Sequence, residues 1–337
     1  MMPDVVWQAW RLWSSPMAWR ERALLVVLAL VIDAVVGDPS ALPHPVVQIG
    51  RLIQALELRL RQPQQSPGRQ RSRGFLVAIL VPIVSGGGTA LVVWLAKILH
   101  PMAGTLMAAW LASTTVAAKG LAQAGNQVLL PLEHGDLPLA RRKAGEIVGR
   151  DTTELDEQEI ARAAVETVAE NTVDACVAPL FFTLLGGAPG AMAYRAINTL
   201  DSMLGHKNAT YLHFGWASAR LDDLANWLPA RLAALIMPLA AACVGRSATQ
   251  SWRAILRDAR KHPSPNSGIP EAAVAGALGI QLGGINFYKG IPEKRALLGE
   301  ELRPLERHHI AKAISIMIVT SVLSSALFLL AGLALGR

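Results

Sequence analysis

Three stretches of the chain hold no Asp, Glu, Lys or Arg: residues 74–96, 98–118 and 313–336. A spanning helix needs about 20 apolar residues, so each stretch predicts a membrane span. His100-Pro101 leaves room only for an antiparallel helical hairpin between the first two. Residues 23–37 form a fourth candidate, interrupted only by Asp33. That carboxylate, and the lack of a small-residue cleavage site behind it, argue for a retained helix rather than a cleaved signal peptide. Two further apolar runs are punctuated. Gly186-Gly187-Ala188-Pro189-Gly190 divides 175–194 into halves of about ten residues, each too short to span alone. The run 232–245 is shorter and contains Pro238. Broken segments of this kind read either as walls of a cavity or as kinked, packed helices.

The pattern predicts an all-α, polytopic membrane protein with roughly four to six membrane segments, some of them re-entrant, joined by helical polar segments. It reads as one integral-membrane domain over 1–337. Within it lie an N-terminal segment 1–22, a mobile linker 60–73, a polar cytoplasmic helical segment 119–174, and motif-bearing segments 195–231 and 246–309. Composition agrees, with 52% hydrophobic and 17% charged residues, where soluble domains carry about 25% charged. Disorder and a disulfide scaffold are both excluded; the two cysteines, Cys176 and Cys243, sit inside apolar runs and read as small core residues. The net charge of +7 would suit nucleic acid in a soluble protein. Here the arginines flank apolar runs, so the partner they indicate is the anionic cytoplasmic face of a membrane. Arg51, Arg59, Arg61, Arg69, Arg71 and Arg73 place 38–73 in the cytoplasm. The topology after residue 174 stays open: 195–231 falls outside if both broken runs cross, and inside if both are re-entrant.

Four polar segments are richer in chemistry than connectors need. In the first, Pro39, Pro43 and Pro45 hold His44 on a rigid turn after Asp33 and Asp38. An intramembrane carboxylate such as Asp33 is costly and functional by default. In the second, Gly149-Arg150-Asp151 precedes a helix that starts near Asp156 and Glu159. Along that helix Glu166, Glu170 and Asp174 recur every four residues, drifting about 40° per step, with Asn171 beside them. Three like charges on one face call for a divalent cation or a cationic substrate; a solvated stripe balanced by Arg162 is the plainer alternative. The third segment crowds Asn198, Thr199, Asp201, Ser202, Lys207 and Asn208, followed by Asp222-Asp223. The fourth runs His262-Pro263-Ser264-Pro265-Asn266-Ser267-Gly268-Ile269-Pro270-Glu271 into a small-residue helix, Ala272 to Leu282. It is either a polar turn whose following helix start binds an anion or a bare loop. No GxxxxGK[ST], CxxC, HExxH or GxSxG pattern occurs, so any nucleotide chemistry uses an unfamiliar site.

Taken in order, these motifs resemble one family. They are Gly37-Asp38-Pro39, Pro43-His44-Pro45-Val46, Gly149-Arg150-Asp151, Glu166-Thr167-Val168-Ala169-Glu170-Asn171, Asn198-Thr199-Leu200-Asp201-Ser202-Met203, Ala219-Arg220-Leu221-Asp222-Asp223 and Ser264-Pro265-Asn266. The set is similar to the integral-membrane adenosylcobinamide-phosphate synthases of cobalamin biosynthesis, over roughly 24–330. The resemblance implies an ATP-dependent acid–amine ligase of the bacterial inner membrane, with its active site on the cytoplasmic side. The propionate carboxylate of adenosylcobyric acid would be joined to 1-aminopropan-2-ol or its O-phosphate. A carboxylate is a poor acyl donor and needs activation, which brings in ATP and Mg²⁺ as cofactors.

For that reaction, residue chemistry assigns Glu166, Glu170 and Asp174 to Mg²⁺ or to the ammonium of the amine. Arg150 and Lys207 would hold phosphates. Asp201 or Asp222, with Glu170, would be catalytic. His44, Asp151, Asn171, Asn198, Ser202, Ser264 and Asn266 would bind and orient substrate. Expected partners are the corrinoid and aminopropanol substrates, membrane lipid, and either a second copy of the chain or an accessory cobalamin-pathway protein; nucleic acid is not among them. Two alternatives compete with the enzyme: a non-catalytic membrane signalling relative, which would have lost charged motif members, and a transporter, which would spread polar residues along its spans.

Overall fold

A computed structural model of the protein describes residues 16–38, 44–62, 64–206 and 208–337. The fold is all-α and polytopic, with one small hairpin of strands. Among the described residues, three helical stretches are long and apolar enough to cross a membrane: Pro67–Leu99, Glu157–Leu204 and His308–Leu335. The pair Trp216–Ala225 and Trp227–Cys243 makes a fourth if counted as one broken span.

The chain divides into two compact units. The first takes the described residues up to Ala117, Ala178–Ala225 and Ser324–Arg337. It contains α1 (Pro16–Val35), α2 (Pro45–Leu60), α3 (Pro67–Leu99), α4 (Pro101–Ser113), α8 (Ala178–Leu204) and α9 (Trp216–Ala225). Its core joins Ile49 and Ile53 of α2, Val77 and Val81 of α3, Ala196, Leu200 and Leu204 of α8, and Phe214. Small residues set the closest approach: a Cβ at Gly74 would lie 1.9 Å from the Phe214 carbonyl oxygen. On α3, Phe75, Leu76, Ile79 and Ile83 face outward while Val77, Ala78 and Val81 face the core. A helix apolar on both sides is one surrounded by lipid.

Two sequence expectations change here. The stretch 98–118 is not a full-length helix. α4 has 13 residues and rises about 20 Å, short of the roughly 30 Å hydrocarbon core. Ser113, Thr114 and Thr115 turn their hydroxyls back onto the carbonyls of Trp110, Leu111 and Ala112 as the helix ends. The tight connection does hold: His100 caps α4 by accepting the Met102 N–H at 3.1 Å, and Pro101 takes the first position. The linker expected over 60–73 is helical from Pro67 onward, because proline at a first helical position starts α3 and places Arg69, Arg71 and Arg73 on its opening turns. The break in 175–194 is present as expected: α8 kinks at Gly187, whose φ of 62° suits glycine.

The second unit takes Ala118–Val177 and Asn226–Leu323. It contains α5 (Ala118–Glu133), α6 (Leu137–Ile147), α7 (Glu157–Thr172), a π-turn (Val173–Val177), α10 (Trp227–Cys243), α11 (Ala248–Asp258), α12 (Gly268–Leu278), strands β1 (Leu282–Tyr288) and β2 (Ile291–Leu298), and the start of α13 (His308–Leu335). Asp156 caps α7 by accepting the Glu159 N–H at 2.8 Å, as its sequence suggests. Every residue of α12 is buried, and its glycines and alanines let α11 approach until a Cβ at Gly276 would sit 2.4 Å from the Gln250 carbonyl oxygen. The small-residue helix ends at Leu278, four residues earlier than expected, because Gly279 takes a left-handed cap at φ 65°. The chain then forms an antiparallel hairpin turned at Lys289 and Gly290, both with positive φ, the geometry of a two-residue turn matched to strand twist.

The buried carboxylate of Asp258 locks the hairpin's far end. It accepts from Arg257, from Lys261 at 2.7 Å, and from the Gly299 N–H at 2.9 Å. Burial alone would raise its pKa, but these hydrogen bonds pull it down to about 2. A depressed folded value means that its contribution is complete above the ordinary value of 3.8 and is lost as pH falls through about 2. Asp258→Asn is therefore expected to destabilise the detergent-solubilised protein by about 1.5–3 kcal/mol at neutral pH. The gap in thermal melting from wild type should close as the medium is acidified over that window; a gap independent of pH would refute the electrostatic assignment.

Candidate functional site

Glu166 organises the polar centre of the second unit. Its Oε2 accepts from Arg150 Nη1 at 2.7 Å, and its Oε1 accepts from Arg162 Nη1 at 3.2 Å and from the Gly283 N–H at 2.8 Å. Arg150 Nη1 also donates to Asn286 Oδ1 at 2.6 Å, while Arg162 donates to the carbonyls of Gly283 and Ile285. Gly283 adopts φ 89° at a bulge, and a Cβ there would lie 2.1 Å from the Ala296 carbonyl oxygen, so glycine is required for the strand to reach Glu166. Asp151 fastens the hairpin's tip, donating its N–H to the Phe287 carbonyl and accepting the Gly290 N–H at 2.7 Å.

These contacts wall a cavity of about 130 Å³, lined by Arg150, Glu166, Glu170, Asn171, Asn286, Tyr288 and Arg295 among others. Asn286, Tyr288 and Arg295 share one face of the hairpin, because Gly284 is the register partner of Arg295 and side chains alternate along a strand. Arg150 is buried, and its Nε and Nη2 have no protein partner. That edge of a guanidinium is the fork that takes two oxygens of a carboxylate or phosphate. Burial lowers the Arg150 pKa, with Glu166 opposing the effect. Burial acts on Arg295 in the same direction, but Tyr288, Glu170, Glu271 and Glu166 outweigh it and raise the value.

Glu170 also belongs to a second group. Its carboxylate, the His262 ring and the Glu271 carboxyl offer ligand atoms all within 4.8 Å of one another. Glu271 lies in the first turn of the buried helix α12, where it occupies the helix start that the sequence offered to an anion. Its Oε1 is 3.5 Å from His262 Nε2, and both atoms are buried without a hydrogen bond. Burial, then the charges of Glu170 and Glu166, push the Glu271 carboxyl well above the usual range; burial also lowers His262. His262 Nδ1 contacts Ser264, accepting its N–H at 3.0 Å, and Nε2 faces Glu271. Mg²⁺ prefers oxygen ligands. The carboxyl groups of Glu170 and Glu271 would supply such oxygens, with the His262 ring beside them.

The set expected from the sequence was Glu166, Glu170 and Asp174, and the structure groups Glu170 with His262 and Glu271 instead. Both Glu166 oxygens are committed to arginines and to a backbone N–H, and Asp174 falls in the π-turn, off the regular helical face. Of the other expected residues, Arg150, Glu166, Glu170 and Asn171 meet at the cavity, and Asp151 supports it from behind. Ser264 Oγ accepts from the Asn266 and Ser267 N–H groups, and Asn266 Oδ1 accepts from Arg231 at 2.6 Å, so both build the turn that carries His262. His44, Asn198, Asp201, Ser202 and Asp222 belong to the first unit. There His44 accepts the Val46 N–H and lies 2.9 Å from Asp38, and Ser202 donates to the Asn198 carbonyl. Lys207 lies outside the described residues, as do Pro39 and Pro43 of the first turn. Sequence reasoning missed His262, Glu271, Asn286, Tyr288 and Arg295 as site residues. The Lys289-Gly290 turn between alternating residues was the available signal for the last three.

A family model described as CobD/Cbib protein matches residues 26–317. The chain belongs to this family. It is 52% identical over 286 residues to the cobalamin biosynthesis protein CobD of Geobacter metallireducens, covering 85% of this chain and 89% of the relative. It is 47% identical over 313 residues to the protein of that name from Pelobacter propionicus, covering 93% and 96%. A cobalamin biosynthesis protein CbiB from Salmonella typhi is 45% identical over 307 residues, covering 90% and 95%. No solved structure matches the chain.

In this CobD/CbiB family member the hairpin depends on Arg150. Arg150→Ala is expected to cost about 3–5 kcal/mol, because it strips a buried carboxylate of its shortest ion pair. Arg150→Lys should recover only part of that, since an ammonium cannot reproduce the guanidinium geometry. The measurements are melting in detergent and the rate of proteolysis within 284–295; wild-type behaviour of the alanine variant in both would remove Arg150 from this role.

Proposed function

We propose that the chain catalyses the amide-forming step for which its motifs are suited. In this reading the propionate carboxylate of adenosylcobyric acid is joined to the amine of 1-aminopropan-2-ol or its O-phosphate, with ATP driving the step. Membership of a family whose relatives are named for cobalamin biosynthesis supports the pathway. The observation that carries the reaction class is the polar cavity, where a buried guanidinium with an unpartnered fork stands among carboxylates.

Activation transfers the γ-phosphoryl group of ATP to the carboxylate, breaking the P–O bond to ADP. The amine then forms the C–N bond, phosphate leaves, and a base takes the ammonium proton. Mg²⁺, when bound, would offset the charge of the transferring phosphoryl group. Arg150 and Arg295 would hold phosphate or carboxylate oxygens. Asn171, Asn286 and Tyr288 would orient the bound groups, and Glu170 and Glu271 would hold the cation. Asp201 and Asp222, the aspartates that the sequence offered as catalytic, belong to the first unit and are given no role at this cavity. We place the reaction at the cytoplasmic side of the inner membrane, in keeping with the arginines that flank the apolar runs.

The test incubates solubilised protein with adenosylcobyric acid, ATP-Mg²⁺ and either amine, and reads the product by mass spectrometry. The amide mass should appear with at least one amine, and Glu170→Gln should lower turnover by about 10²-fold or more with folding intact. No amide from either amine, or near-normal turnover in the variant, counts against the reading.

A further inference from the structure

A different cavity of the second unit, about 260 Å³, opens where the chain passes from α10 to α11 and faces the loop before α13. Arg246 and Arg303 line it, together with Ser247 and Gln250 of the α11 start. The backbone fixes both arginines. After the left-handed Gly245 (φ 69°), the Arg246 N–H returns to the Ala241 carbonyl at 2.7 Å, and the Arg303 N–H donates to the Gly279 carbonyl at 3.2 Å. Lys312 lies near enough for both guanidinium groups to repel its ammonium. Glu306 offsets part of that repulsion, but its carboxylate is engaged at 3.0 Å by His308. Among the described residues, no hydrogen bond or ion pair is made by the side chains of Arg246, Arg303 or Lys312.

Two arginines lining one cavity, with neither side chain paired, concentrate positive potential there and favour an anion. The unit has acids enough to have supplied one, as it does for Arg150 and Arg257. Two guanidinium forks match the several oxygens of a phosphate group, which can meet both at once. The location narrows the source. Lys312 is in the opening turns of α13, which is apolar enough to span, and Arg246 follows the apolar helix α10 by three residues. Basic residues at the ends of apolar helices lie at headgroup depth. The positive end of the α11 dipole, beside Ser247, adds to the field.

We propose that Arg246 and Arg303 form a phosphate-binding pocket, separate from the Glu166 cavity, that takes the headgroup phosphate of an anionic lipid or the phosphate of a soluble compound. This assignment is independent of the ligation reaction. Delipidated protein in neutral detergent is titrated with phosphatidylglycerol, with phosphatidylcholine, and with inorganic phosphate against chloride at equal ionic strength, while melting is followed. Wild type should be stabilised by phosphatidylglycerol or by phosphate. A response to the lipid alone assigns the source to the bilayer, and a response to phosphate assigns it to a soluble ligand. The double variant Arg246→Gln/Arg303→Gln should melt no lower than wild type without ligand, since repulsion is relieved, and should need at least about tenfold more ligand for the same shift. Lys312→Gln should lie between them, and Arg69→Gln, a charge loss on the other unit, should respond like wild type. Absence of any phosphate-dependent shift overturns the proposal, as does an undiminished response in the double variant or an equal loss in Arg69→Gln.

Discussion

The Glu166 carboxylate is the fixed point of the second unit. Burying a carboxylate costs several kcal/mol unless the attraction and hydrogen bonds it gains offset the lost hydration. Here the loop arginine Arg150, the same-helix arginine Arg162 and the hairpin's Gly283 N–H supply that compensation together. Because the three donors come from different parts of the sequence, satisfying one side chain holds the 148–156 loop, α7 and the hairpin in register. The arrangement also leaves the Arg150 Nε and Nη2 edge unmatched inside the protein. A structural ion pair and an unpartnered fork thus reside on one guanidinium.

Helix α12 supplies the complementary constraint. Its Gly and Ala residues bring α11 close enough to exclude water. In that dry setting the Glu271 carboxyl resists ionisation, and the neighbouring Glu170 carboxylate adds to the resistance. The Ser264 N–H bond to His262 Nδ1 then sets which ring nitrogen faces Glu271. Burial first and neighbouring charge second thus push the Glu271 carboxyl up, and burial pushes His262 down.

Where one physical cause dominated, the sequence was readable. Asp156 caps α7 because nothing competes for its side chain, Gly187 breaks α8 because its backbone conformation needs glycine, and the uninterrupted apolar faces of α3 and α13 follow from lipid on the outside. Absence of charge was a poorer guide over 98–118, where hydroxyls compete for backbone carbonyls and end α4 early. The hairpin was hidden by inverted polarity. Ile285 and Phe287 are exposed while Asn286 is buried, so a search for strands with apolar residues inward passes over it.

The acidic stripe shows how far spacing reaches. A four-residue repeat puts Glu166 and Glu170 on nearly one helical face, and both do line the same cavity. Spacing carries no information about what approaches that face from elsewhere in the chain. Gly283 and Arg150 arrive at Glu166 and neutralise it, whereas His262 and Glu271 arrive at Glu170 and leave it beside a second carboxyl. Two glutamates one turn apart thereby take opposite roles: one is saturated by the protein and structural, and the other stands where an added cation would gain two oxygens at once. The third member of the repeat falls in the π-turn, where the change from i+4 to i+5 bonding alters the helical angle on which the repeat depends. The division of labour among these carboxylates is set by their tertiary neighbours, and it separates the fold's anchor from the second carboxyl cluster within a single turn of helix.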